Sequence, residues 1–149
     1  MECVLNVSSL LRPLVDAANA DEAKRSAETF KFMEEQKIKK ALAPKEWEKL
    51  KAQLIQECGN FSQSTGHQLQ SEPRGLNELK LRNASTGRMA KFTYNADVPC
   101  IFFEGYDGGG HFAFRPSADG TLLQWVDTKR NSVTTINELV FEITAYLIH

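Results

Sequence analysis

The sequence predicts an α+β fold. Apolar residues recur at spacings of three and four as far as Gly59, they alternate with polar residues after it, and a helix-initiation signal stands at Thr135-Ile136-Asn137-Glu138. Helical spacing yields a helix with one apolar stripe, and alternation yields a sheet with one apolar face. Each needs a cover, and each can cover the other. The expected order is N-terminal helices, a five- to six-stranded antiparallel meander sheet, and a C-terminal helix packed on the sheet. The expected division, within one domain over 1–149, is a helical part at 1–59, a connector at 60–66, the sheet at 67–134 and the last helix at 135–149. A small, partly closed barrel plugged by the last helix is the alternative arrangement.

A first helix is expected to start near Ser8 or Asn19. Asp21 and Glu22 would then sit in a first turn, with Ala23, Ala27, Phe30 and Met33 following at helical spacing. Pro13 should limit anything earlier. Lys37, Lys39 and Lys40 fall near the end of that helix, where cations complement unpaired carbonyls. In the second helix, Pro44 suits a first position, Trp47, Leu50, Leu54 and Cys58 form one apolar stripe, and Gly59 supplies a left-handed stop.

Short alternating runs then recur between turn signals: His67–Gln70, Glu78–Arg82, Arg88–Tyr94, Cys100–Glu104, His111–Arg115 and Leu122–Val126. Asp119-Gly120 is a two-residue turn signal that pairs Arg115–Ala118 with Thr121–Gln124. Trp125 alternates with Leu123 and belongs to the core. In the last helix, Leu139, Val140, Ile143, Tyr146 and Leu147 share one side.

Composition narrows the function classes. With 149 residues, 42% hydrophobic and 25% charged, the chain can bury a core without disulfides or metals. A net charge of −1 provides no global field to attract nucleic acid or an anionic membrane. Cys3, Cys58 and Cys100 are odd in number and lack a C-x-x-C spacing, which fits reduced cytoplasmic thiols rather than a disulfide framework or a zinc cluster. The segment Met1–Val7 carries no cationic leader, and no apolar run approaches the roughly 20 residues that span a bilayer. Asn83-Ala84-Ser85 matches a glycosylation acceptor, a motif with meaning only in a secreted chain, and reads here as a loop.

The unusual local composition is Glu104-Gly105-Tyr106-Asp107-Gly108-Gly109-Gly110-His111. A hairpin register with Phe103 facing Phe112 and Ile101 facing Phe114 sets Glu104 opposite His111. A carboxylate beside an imidazole raises its basicity and orients it, so Glu104, Asp107 and His111 are the candidate catalytic or ligating set. The glycines are more simply explained by positive backbone dihedrals, and they lack the spacing of a phosphate loop. A second candidate surface is a basic strand face made of Lys80, Arg82, Lys91 and Arg115, with Tyr106 or Phe102 available for stacking.

The sequence therefore favours a non-enzymatic module that binds a small molecule or a protein, with a homodimer as one expected form and with no cofactor and no metal signature. The runner-up is a hydrolase-like or metal-dependent enzyme built on Glu104, Asp107 and His111. The third reading is a nucleic-acid binder on the basic strand face, which the overall charge disfavours.

Overall fold

The structure, a computed structural model, describes the backbone from residue 2 and the side chains from residue 11, so the Cys3 side chain lies outside the described residues. The elements are α1 (Glu2–Thr65), β1 (Leu69–Arg74), β2 (Glu78–Asn83), β3 (Met89–Asn95), β4 (Cys100–Glu104), β5 (Gly110–Pro116), β6 (Leu123–Asp127), β7 (Ser132–Thr134) and α2 (Ile136–Ile148). The chain divides into two compact units, Met1–Gln36 and Lys37–His149. In the first, side chains 11–33 are all exposed. The second holds the sheet and the core.

Where two N-terminal helices were expected, α1 is one helix that runs through both Pro13 and Pro44. An interior proline forfeits a hydrogen bond and crowds the preceding turn, at a cost of about 3 kcal/mol. At Pro44 that cost is offset by burial on both sides of it. Ile38 and Leu42 pack against the same core that receives Ala43, Trp47, Leu50, Leu54 and Cys58. Gly59 does not stop the helix either. Phe61 extends the stripe by a turn, residues 60–65 are helical rather than a connector, and Gly66 takes the left-handed conformation (φ 72°) that ends α1. The Ser62 hydroxyl then ties the helix end to β1, donating to the Leu69 carbonyl (3.2 Å) and accepting from the Leu69 amide (3.0 Å).

The sheet is an antiparallel meander in the order β1-β2-β3-β4-β5-β6-β7, open at both edges and not closed into a barrel. It has one strand more than the upper expectation because β7 is only three residues long and mostly exposed, which leaves no alternating pattern to read. β1 starts later and runs further than expected, through Pro73. Proline is tolerated there because β1 is an edge strand. The inward row of Leu79, Leu81, Phe92, Ile101, Phe103, Phe112, Phe114 and Trp125 shares one cluster with the α1 stripe and with Leu139, Ile143 and Leu147 of α2. Both helices of this unit therefore cover the same sheet face. Trp47 anchors the α1 side, its ring stacked 6.1 Å from Tyr94 and its indole N–H donating to the Leu76 carbonyl at 2.8 Å.

The β5–β6 hairpin has the expected register, with Arg115 opposite Gln124 and Phe114 opposite Trp125. Its strands stop earlier than expected, however, so the tip spans Ser117 to Leu122, with Gly120 at φ 72°. Asp119 organises this tip, accepting from the Ser117 hydroxyl (2.7 Å), the Thr121 hydroxyl (2.8 Å) and the Thr121 amide (3.1 Å). These bonds favour the charged carboxylate and hold its pKa down to about 2. Because the folded value lies below the unfolded one, Asp119 contributes stability above the unfolded pKa and loses it as pH falls toward about 2. Denaturation midpoints measured across the acid range should therefore fall less steeply in Asp119→Asn than in the parent. Parallel curves would show that the tip bonds do not favour the carboxylate.

Helix α2 opens as the sequence predicts. The Thr135 hydroxyl accepts the Glu138 amide at 3.2 Å. Its C-terminal carbonyls are capped by the β2–β3 turn. Leu147 O accepts from Asn83 Nδ2 (2.7 Å) and Thr86 Oγ1 (3.1 Å), and Tyr146 O accepts from Arg88 (2.9 Å). Asn83 is fully buried and its amide is committed to this cap, which is the role its side chain serves here.

Candidate functional site

Three places could carry function: the glycine-rich β4–β5 loop, the outer sheet face, and the groove between α1 and α2. In the first, the register differs from expectation by two residues. Phe103 lies opposite Gly110 and Phe102 opposite His111. The shift by two keeps Phe103, Phe112 and Phe114 on the inner face, and it seats the Phe103 ring over Gly110, where a Cβ would lie 2.8 Å from the ring. Phe103 also stacks on Phe112 at 4.7 Å.

The expected triad consequently does not converge. Glu104 faces Lys91 on β3. His111 lies with its ring 5.7 Å from Phe102 and its Nδ1 3.2 Å from the Thr128 hydroxyl. Asp107 pairs with Arg130 at 3.0 Å, and its carbonyl accepts from Lys129. Among the described residues no group of three or more His, Cys, Asp or Glu side chains is placed to hold a metal.

What the loop does instead is structural. Gly105, Asp107, Gly108 and Gly109 all have positive φ, which lets the chain turn back sharply. Tyr106, 7% exposed, is buried against Phe103 and Tyr146 and donates to Glu142 at 2.9 Å. Burial raises the pKa of its phenol, and the bond to Glu142 raises it further. Arg130, which also lies 3.7 Å from Asp127 and 3.8 Å from Glu142, joins the loop, the β6–β7 turn and α2. Sequence reasoning missed Arg130, Asp127 and Glu142 because they are distant in the chain from the glycines they secure.

The outer sheet face does gather the residues that alternation placed there. Lys80, Arg82, Lys91, Phe102, His111 and Arg115 alternate with the buried residues of their strands. Tyr106 is absent from it, since it is buried, so it cannot stack on a base. Acids interleave with the cations: Glu72, Lys80, Lys91 and Glu104 form one row across four strands. Lys91 also pairs with Glu78 at 2.8 Å, a bond that lowers the carboxyl pKa and raises that of the amine. Arg115 is held to Gln124 at 3.1 Å. The face is a charge mosaic without the continuous cationic track that a phosphate backbone follows.

The groove is a candidate that sequence reasoning missed. Helix α2 carries a second apolar stripe, Phe141, Ala145 and Ile148, at spacings of four and three, beside the buried stripe of Leu139, Val140, Ile143 and Leu147. With Phe61 on α1 it lines a cavity of about 650 Å³ whose polar members include Gln53, Glu57 and Asn137. Thr144 contributes no free hydroxyl, because its Oγ1 donates to the Val140 carbonyl at 2.6 Å. Phe141 is 75% exposed at the edge. The signal was present in the sequence as a short helix apolar on two sides, only one of which a sheet can cover.

Cys58, on the inner side of α1, is shielded from chemistry. Burial, reinforced by Glu57, pushes its thiol pKa up to about 11, so little thiolate forms at neutral pH. Cys100 is likewise buried, and burial raises its pKa. Compared with known proteins, the chain matches no protein family, no curated protein and no solved structure.

Proposed function

We propose that this chain is a non-enzymatic protein-binding module whose site is the groove between α1 and α2, and whose occupant is an amphipathic helix of a partner protein. The observation that carries this reading is the uncovered second stripe of α2, Phe141, Ala145 and Ile148, facing Phe61 across an open apolar groove. Both walls are helices with lining residues one turn apart, Gln53, Glu57 and Phe61 on one and Phe141, Ala145 and Ile148 on the other. That spacing suits the i, i+3, i+4, i+7 anchors of a docked helix. Neutral amides at Gln53 and Asn137 supply the polar rim. A cytoplasmic setting fits this role, supported by the free, buried thiols of Cys58 and Cys100.

The test uses 1-anilinonaphthalene-8-sulfonate as a fluorescent reporter of the groove and a leucine-faced amphipathic peptide as competitor. The parent should enhance the dye fluorescence and the peptide should displace it. Ala145→Arg, which fills the groove with a charged side chain at a partly buried position, should remove most of the enhancement while leaving the circular dichroism unchanged. Equal dye binding by the parent and Ala145→Arg would place the apolar surface elsewhere and overturn the assignment.

A further inference from the structure

A different surface, independent of the groove, is the uncovered stripe on α1 within the first unit. Leu14, Val15, Phe32 and Met33 each expose more than half of their surface. Leu14 and Phe32 are eighteen residues apart, as are Val15 and Met33. Eighteen residues are five helical turns, so the two apolar pairs lie on one side of the helix, about 27 Å apart. Ala18 and Thr29 sit on the same side between them. At the midpoint that side carries Glu22 and Arg25.

We infer that residues 11–36 pair antiparallel with the same segment of a second copy of this chain. One antiparallel register pairs all eight of these positions, and it sets Leu11, on the same side, against the partner's Gln36. Leu14 meets the partner's Met33, Val15 meets the partner's Phe32, and Ala18 meets the partner's Thr29. At the two-fold axis Glu22 meets the partner's Arg25, and the same pair repeats with the roles exchanged. A parallel pairing in register sets Glu22 against Glu22 and Arg25 against Arg25, so charge selects the antiparallel orientation. The complementarity is internal to one sequence, and this identifies the occupant as a second copy.

Sedimentation of the full chain should show a dimer that dissociates on dilution. Arg25→Glu alone and Glu22→Arg alone each place like charges at the two-fold axis and should weaken association by about tenfold. The double variant Glu22→Arg/Arg25→Glu restores opposite charges and should recover the parent's dimer. Because both positions are exposed, circular dichroism should show the fold unchanged in all three variants. A chain that stays monomeric at every concentration would overturn the inference. So would a dimer indifferent to the single charge reversals, which would lie on another surface, or a double variant that fails to recover association.

Discussion

Trp47→Ala is expected to lower the stability of the Lys37–His149 unit by about 3–5 kcal/mol, the range for truncating a buried aromatic to alanine. Trp47 is 1% exposed and joins α1 to the sheet in two ways, through its stack on Tyr94 and through its indole N–H on the Leu76 carbonyl. Its removal opens a cavity between layers whose neighbours, Leu50, Leu54 and Tyr94, are fixed by their own backbones. It also leaves the Leu76 carbonyl with Lys51 as its partner, at 3.0 Å. Chemical denaturation followed by far-ultraviolet circular dichroism measures the loss. A change below about 1 kcal/mol would mean that the helix does not rest on the sheet through this residue.

Gly105→Val is expected to cost a comparable amount, roughly 2–5 kcal/mol, from two separate causes. Gly105 has φ 79°, where a side chain is strained, and a Cβ there would approach the Met89 carbonyl oxygen to 2.5 Å. That oxygen belongs to the β3 backbone and cannot move without disturbing the ladder. Gly75→Val is the control. Its φ is 62°, but a Cβ meets nothing within 4 Å, so it should show the conformational cost without the clash. Equal losses at both glycines would remove the close approach of the β4–β5 loop to β3 from the account.

The layers of the fold were legible because they depend on periodicity within single segments. The stripe at Trp47, Leu50, Leu54 and Cys58, the alternation of β2 to β6 and the Thr135 cap are local patterns, and each lies where its pattern implies. What was not legible depended on comparing a local signal with distant packing. Pro44 reads as a helix start until Ile38 and Leu42 are known to reach the core on its other side. Gly59 reads as a stop until Phe61 is seen to continue the stripe. The β4–β5 register turned on Phe103 needing the empty face of Gly110, a contact that alternation cannot distinguish from one two residues away, because both keep the same side chains inside.

The candidate sites were less legible for the same reason. Glu104, Asp107 and His111 are neighbours in sequence, yet each has a different partner, Lys91 on β3 for the first and Arg130 and Thr128 in the β6–β7 turn for the other two. Lys80, Arg82, Lys91 and Arg115 share the outer face because each alternates with the buried residues of its strand. The acids that interrupt them lie on neighbouring strands, and only the register shows this. The groove needs α1 and α2 side by side, which no single segment encodes, although the doubled apolar stripe of α2 was open to view.

The claim that the α1–α2 groove is the binding site is tested most directly by amide NMR spectra of the full chain during titration with the leucine-faced amphipathic peptide. The expected result is a set of saturable shifts confined to residues 53–61 and 137–149, with Lys80, Lys91, Phe102 and Arg115 on the outer face unmoved. Shifts centred on the outer face, or a spectrum that the peptide leaves unchanged, would contradict it.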